Sequence, residues 1–148
     1  MQQTQSMKQA LILALFAASC ASSQPSTGPE VQIALTQLNN PANVFYYPGP
    51  VAVQYELSVT NPLDEPITLR RLDLSTSGPG AYSLNTTGTL NLKIPPKSTA
   101  TQTISAWGRS SGGYLTGGEP VNMRLTGIFA DSAGKTFQKM ALLNLPQR

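Results

Sequence analysis

Alternation of apolar and polar residues dominates the chain from residue 31 onward. In the run 51–59 every odd-numbered residue is large and apolar or aromatic, and every even-numbered residue is small or polar. A period of two predicts a β-strand with one buried face. Asn61-Pro62 then predicts the end of this strand, because proline cannot donate to a sheet ladder and asparagine tolerates turn geometry.

The same alternation predicts more strands at short intervals. They cover residues 31–35, 67–74, 90–94, 99–107, 121–129 and 136–145, with 82–84 as a short edge strand and a hairpin turn at 131–134. Within 67–74 the apolar face switches near Arg70-Arg71, which predicts a β-bulge. No window of eleven or more residues has a helical period. We therefore predict an all-β fold, an antiparallel immunoglobulin-like β-sandwich of seven to eight strands, with a small closed barrel as the alternative.

The N-terminus has a different pattern. Lys8 precedes an apolar run at 10–18, and small residues follow up to Cys20. This layout is typical of a secretory signal peptide, and the apolar run is too short to span a bilayer as a helix. We predict a signal peptide at 1–19, with Met7 as a candidate start, a flexible tether at 20–30 and the sandwich domain at 31–148. Residues 21–30 (ASSQPSTGPE) reach at most about 33–36 Å when extended.

The four residues Ala17-Ala18-Ser19-Cys20 resemble the lipobox of bacterial lipoproteins, although that family usually has leucine where this chain has Ala17. The resemblance implies that Cys20 becomes the mature N-terminus and carries palmitate-type acyl chains, so that the membrane is its partner. Ala21, rather than aspartate, follows the cysteine. By analogy with Gram-negative lipoproteins this implies a lipid-anchored protein of the outer membrane in the bacterial cell envelope. The alternative is a signal peptide that is cleaved elsewhere.

Residues 51–74 (VAVQYELSVTNPLDEPITLRRLDL) look like part of a late-embryogenesis-abundant group 2 (LEA2, or WHy) domain. That family has an alternating strand, an Asn-Pro pair at its end and a second strand after a few polar residues. The strand that ends at 125–129 and the turn with Gly134 resemble its C-terminal half. The resemblance implies an immunoglobulin-like sandwich without catalytic residues, associated with stress protection.

The amino-acid composition excludes several kinds of catalytic, metal-binding and disulfide site. The chain has no histidine and one cysteine, which excludes histidine-based triads, histidine metal sites and internal disulfides. The chain has ten Lys and Arg residues and seven Asp and Glu residues, and no run of basic residues is longer than the pair Arg70-Arg71. We therefore expect no nucleic-acid partner. Calcium loops need several alternating oxygen ligands, which are absent. We predict no enzyme, no cofactor and no metal.

Two motifs that resemble catalytic ones are better explained as turn residues. Ser132 and Lys135 have the Ser-x-x-Lys spacing of serine acylases, but they lie between two predicted strands instead of on a helix. The sequence Gly134-Lys135-Thr136 echoes a phosphate-binding loop, but Phe129 stands where that loop needs a glycine. An enzyme would require Asp131, Glu119 and Lys135 to gather around one pocket.

Two segments are candidate binding loops. Phe45, Tyr46 and Tyr47 stand beside a proline-rich turn, and Trp107 precedes a glycine-rich loop at 108–119 that contains Arg109 and Tyr114. Exposed aromatic residues can stack on a sugar ring or a partner peptide. The alternatives are that the aromatic residues cap the core and that the loop is only a connector.

These observations favour a non-enzymatic, lipid-anchored envelope protein with a sandwich domain for binding or for a structural, stress-protective role. The alternative is an accessory lipoprotein subunit that docks on a larger envelope assembly for secretion, pilus formation or transport, with a protein partner in the envelope. An exposed apolar surface around residues 45–47 would favour docking, because large exposed patches usually mark interfaces. Uniformly polar loops would favour stress protection.

Overall fold

A computed structural model describes residues 29–38, 46–113 and 118–147. The predicted signal peptide, Cys20, most of the predicted tether, Phe45 and Tyr114 lie outside these ranges. The described residues contain no helix that is long and apolar enough to cross a membrane.

Seven antiparallel strands form two sheets, which confirms the predicted all-β sandwich. The strands are β1 (Gln32–Gln37), β2 (Gly49–Asn61), β3 (Ile67–Thr76), β4 (Asn85–Ile94), β5 (Ser98–Ser110), β6 (Val121–Ala130) and β7 (Thr136–Leu145). One sheet has the order β1-β2-β5 and the other β4-β3-β6-β7. This is an immunoglobulin-like arrangement in which the fourth strand pairs with the third instead of the fifth.

The alternation of apolar and polar residues in the sequence corresponds to an alternation of buried and exposed side chains in the structure. In β2 the five odd-numbered residues from 51 to 59 are buried, while the opposite face is exposed or half-buried. Strand β6 contributes its own buried positions, among them Met123, Leu125 and Phe129, from the facing sheet. Two inner faces that interdigitate in this way form the core of a sandwich.

The predicted bulge lies in β3. Leu69 is opposite Phe129 and Arg71 is opposite Ile128, so that Arg70 is an extra residue facing β6. One extra residue turns the apolar positions to the other face of the strand. Ile67 and Leu69 before the bulge and Leu72 and Leu74 after it are consequently all buried.

Asn61 is buried at the end of β2 and connects two turns. Its Nδ2 donates to the carbonyl oxygens of Glu65 (2.8 Å), Ile94 (3.3 Å) and Pro95 (3.1 Å). Its Oδ1 accepts from the backbone N–H of Leu63 at 3.0 Å. The Asn-Pro pair therefore does more than end a strand, because its side chain joins the β2–β3 turn to the β4–β5 turn.

A chain of hydrogen bonds crosses the other end of the core. The hydroxyl groups of Tyr55 and Tyr82 are 2.7 Å apart, and Tyr82 donates to Oε1 of Gln37 at 2.7 Å. Burial raises the pKa of Tyr55 to about 12, against a smaller lowering by the hydrogen bond with Tyr82. Burial, followed by the neighbouring Tyr55, raises the pKa of Tyr82 further. Both hydroxyls are held in their neutral form.

Two sequence predictions about the segments near β5 are wrong. Residues 82–84 do not form a strand, since only Ser83 makes a bridge, with Arg109. The glycine-rich loop does not begin at residue 108, because β5 continues to Ser110. The reason is that β2 begins at Gly49 and offers a partner for every residue of β5 up to Ser110.

Candidate functional site

The sandwich has two ends, which carry different residues. The Pro29 end contains Pro29, where the described chain begins, and the turns at 62–66, 95–97 and 131–135. The distal end contains residues 46–48, 77–84 and 111–113 and the C-terminal residues 146–147. Strands β2 and β5 run the whole distance between the two ends, over 13 residues each.

The described candidate residues all lie at the distal end. Trp107 is 72% exposed and Tyr47 is 71% exposed, which is unusual for such large apolar side chains in a small domain. Arg109 is exposed as well, and Tyr46 is half-buried. Exposure removes the alternative in which Tyr47 and Trp107 only cap the core.

Trp107 and Arg109 line one shallow cleft, which we call the distal cleft. Its volume is about 300 Å³, and it is open to solvent. Its lining residues are Ser83, Leu84, Asn85, Trp107, Gly108 and Arg109. The lining, as far as the described residues form it, combines an indole, a guanidinium and small polar groups without a carboxylate. Such a surface suits a partner's aromatic or acidic side chain better than acid–base catalysis.

The distal cleft is held by a backbone bridge between Ser83 and Arg109. The N–H of each residue donates to the carbonyl of the other at 2.8 Å. Gly108 permits this approach, since a Cβ on it would lie 2.9 Å from the carbonyl oxygen of Ser83 and 3.2 Å from Cδ2 of Tyr82. A side chain at position 108 would push Tyr82 and Ser83 away from β5.

We expect Gly108→Ala to lower the free energy of unfolding by about 1–3 kcal/mol, the usual cost of forcing extra atoms into a packed site. Gly88→Ala is the matched control: Gly88 also lies in a strand, but nothing is within 4 Å of its Cβ position. This control should be neutral or slightly stabilising. Urea unfolding of both variants measures the difference, and equal midpoints would show that the contact at Gly108 is not needed.

The two predicted binding segments also meet each other at the distal end. Gly113 donates its N–H to the carbonyl of Tyr46 at 2.9 Å. Gly112 has a φ of +77°, and a Cβ there would lie 2.8 Å from Cδ of Pro48. The start of the glycine-rich loop is thus fixed against the aromatic turn. Gly112 therefore permits close packing between the two segments.

A second cleft, of about 620 Å³, lies at the Pro29 end, where no sequence pattern predicted a site. Asp64, Glu65, Asp131 and Lys135 are among the residues that line it. The carboxylates have structural partners: Asp64 pairs with Lys97 at 3.3 Å, and Glu65 accepts from the Ser132 hydroxyl. Oδ1 of Asp131 accepts the backbone N–H groups of Ala133 (3.0 Å) and Lys135 (2.8 Å), which fixes the predicted hairpin turn.

The cluster of Asp131, Glu119 and Lys135 that the sequence analysis considered is not formed. Asp131 and Lys135 lie at the Pro29 end, whereas Glu119 precedes β6 at its opposite end. Among the described residues, no three or more Asp, Glu, Cys or His side chains are placed to hold a metal ion.

Ser83 and Leu84 were not recognised from the sequence as neighbours of Trp107. The contact comes from one isolated bridge between segments 26 residues apart, and no repeating pattern marks it. Asn61 did carry a signal, as half of the Asn-Pro pair, but its role as a link between two turns depends on the position of the β4–β5 turn.

No family model matches the chain, and no curated protein matches its sequence. Solved structures do match its fold. A structural-genomics target solved by X-ray crystallography superposes with a TM-score of 0.55 at 12% identity, over 78% of this chain and 84% of that one. This match shows the sandwich fold.

Two further structures superpose less closely. A protein described as late embryogenesis abundant has a TM-score of 0.40 at 10% identity, over 78% of this chain and 72% of that one. A FixG-related protein from Vibrio parahaemolyticus has a TM-score of 0.35 at 15% identity, over 80% of this chain and 98% of that one. At these scores neither match bears on function.

Proposed function

We propose that this chain is a lipid-anchored, non-enzymatic protein of the bacterial envelope that binds a protein partner through its distal end. The observation that carries the binding role is the exposure of Trp107 and Tyr47 at the end opposite Pro29. Exposed aromatic residues beside an arginine are the usual composition of an interaction hot spot.

The exposed aromatic residues favour the accessory-subunit role over general stress protection. Trp107 lies opposite Ala52 on the outer face of β5, and the rest of this face from 99 to 105 consists of threonine and serine. A purely hydrophilic protective surface has no need of an indole that is 72% exposed. The WHy resemblance agrees with the sandwich fold, and an LEA2-type protective role remains the second candidate.

The anchor is tested by expressing the chain in a Gram-negative host beside Cys20→Ser. We expect the unmodified chain in the outer-membrane fraction, with a mature mass that begins at Cys20 and includes acyl chains. Two or three acyl chains suffice for durable attachment, since each buried methylene contributes about 0.8 kcal/mol. Cys20→Ser should be released or unprocessed, and Ser22→Ala in the tether should behave like the parent. A soluble, unacylated product from the parent would overturn the anchor.

The distal binding surface is tested by photo-crosslinking in the native envelope. A photoreactive residue at position 107 or 47 should give one discrete adduct with a protein other than this chain. Ala133, exposed in the turn at the Pro29 end, is the control position and should give none. Arg109→Ala should weaken binding of the isolated partner at least tenfold without changing the unfolding midpoint. Equal labelling of that protein from positions 133 and 107 would contradict a distal site.

A further inference from the structure

Strand β5 lies at the edge of its sheet, and its hydrogen bonds fix which backbone groups face outward. Arg109 directs both its N–H and its C=O away from β2, since it exchanges both bonds with Ser83. The residue opposite it on β2 is Pro50, which has no N–H to donate. On the far side of β2, the carbonyl of Gln54 accepts from the N–H of Leu38, the residue that follows β1, as the same alternation requires.

The ladder between β2 and β5 has no register shift from Ser98 to Ser110. Because bonding alternates strictly along an antiparallel strand, every odd-numbered residue from 99 to 107 directs its N–H and C=O outward. We call these five positions the open β5 edge. Apart from the bridge to Arg109, the described residues make no backbone bond to this side of β5.

The open β5 edge lacks the features that usually prevent strands from pairing. Residues 98–108 (STATQTISAWG) contain no charge and no proline, and they are rich in residues that favour strands. The other edge strands differ: β1 has six residues, β4 carries Lys93 and β7 carries Lys139. A long, uncharged edge strand is a template for another strand.

We propose that a second copy of this chain pairs antiparallel with the open β5 edge, about a two-fold axis at Thr103. This register places Thr101 opposite Ser105 of the second copy and Thr99 opposite Trp107. Five pairs of outward-facing residues would each exchange two bonds, giving about ten backbone hydrogen bonds. The open β5 edge is bounded at one end by the bridge at Arg109 and at the other by the turn at 95–97. Both features lie just outside the paired residues 99–107 on each copy.

Charge and burial fit this occupant. Among the described residues, Lys97 is the cation that the axis brings toward Arg109, and its Nζ already donates to the carbonyl of Pro62 at 2.7 Å and pairs with Asp64 of the same copy. The inward-facing Ala100 and Ile104 of β5 are only partly buried, unlike the inner residues of β2. A second strand beside β5 would complete their burial.

The two-fold axis places the Pro29 ends of the two copies at opposite ends of the dimer. If the lipid anchor proposed above is correct, a dimer of anchored copies lies with its strands along the membrane surface. The pairing itself does not depend on the anchor, so it can be tested in a Cys20→Ser background, which leaves an introduced cysteine as the sole thiol.

The first test is disulfide trapping of Thr103→Cys in the full chain carrying Cys20→Ser. Directly opposed residues in a hydrogen-bonded antiparallel pair have Cα atoms about 5.5 Å apart, within disulfide reach. We expect mild oxidation to convert most of the protein to a covalent dimer. Thr36→Cys, on the exposed face of β1 at the other edge of the same sheet, is the control and should stay mostly monomeric. Equal trapping at both positions would overturn the proposal.

Sedimentation of the same full chain without introduced cysteines provides the second test. Thr103→Lys should weaken dimerisation at least tenfold by placing like charges opposite each other, and Thr103→Glu should do the same. Mixing the two variants should restore the dimer, which loss of folding could not explain. A chain that is monomeric at all concentrations, or a Thr103→Lys variant that still dimerises, would refute the pairing. Either result leaves the outcome of the Cys20 fractionation unaffected.

Discussion

Replacement of Asn61 by alanine is expected to lower the free energy of unfolding by about 3–4 kcal/mol. The side chain is fully buried and makes hydrogen bonds to three carbonyl oxygens and one N–H. Alanine would remove these bonds from two turns. The carbonyl of Pro95 keeps the bond from the Ser98 hydroxyl at 2.8 Å, and each other buried group that is left unsatisfied costs about 1–3 kcal/mol. The measurement is urea or guanidinium unfolding, with the change in midpoint converted through a shared slope.

Two further variants identify the cause. Asn144→Ala removes an exposed asparagine that donates to Oδ1 of Asn122 at 2.8 Å, and it should change stability by less than about 0.5 kcal/mol. Asn61→Asp keeps the shape but brings a carboxylate toward three carbonyl oxygens, so it should destabilise at least as much as alanine does. A loss below 1 kcal/mol for Asn61→Ala would show that the turns are held by their backbones alone.

We expect the protein to lose stability steeply above pH 10. The folded-state pKa of Tyr55 is raised to about 12, and that of Tyr82 is raised as well, both chiefly by burial. Below pH 10 both residues are neutral in the folded and the unfolded chain, so their contribution is fully present. Above pH 10 only the unfolded chain releases these protons, and stability falls by about 1.4 kcal/mol per pH unit for each tyrosine. Between pH 10 and pH 12 Tyr55 accounts for about 2 kcal/mol of this loss, and Tyr82 adds to it.

Unfolding curves at pH 8, 10, 11 and 12 measure this dependence. Tyr55→Phe should remove about half of the slope, at the cost of a hydrogen bond at lower pH. Tyr47→Phe is the control, because Tyr47 is exposed at the surface and the substitution removes the same hydroxyl group outside the core. A parent protein whose stability at pH 12 equals that at pH 8 would contradict neutral, buried hydroxyls.

Local patterns were enough to predict most of the strands. Alternation located β2 and β7 closely, and the shift in phase at Arg70 predicted the bulge, because burial follows a strict period of two. Residues 85–89 of β4 were missed, since their sequence, NTTGT, has no large apolar residue to mark an inner face. The order of the strands was not predicted, because it depends on pairings between distant segments.

The candidate site was predicted only in part, because residue types can be read from the sequence but contacts between distant segments cannot. Trp107, Arg109 and Tyr47 were recognised by residue type, and the structure places all three at the distal end. Their neighbour Ser83 and the assignment of Arg109 to a strand depend on contacts across the fold. The hydrogen-bonding role of Asn61 is likewise visible only when the β4–β5 turn is in place.

The position of β5 in its sheet also has a consequence for how fast the chain folds. Strand β2 pairs with β1 on one side, but its partner on the other side is separated from it along the chain by β3 and β4. Gly49, for example, pairs with Ser110, and a long loop of chain must close before that contact stabilises anything. Folds dominated by such non-local pairings fold in roughly milliseconds to seconds. A newly made chain therefore keeps its strands unpaired for roughly that time before the sandwich closes.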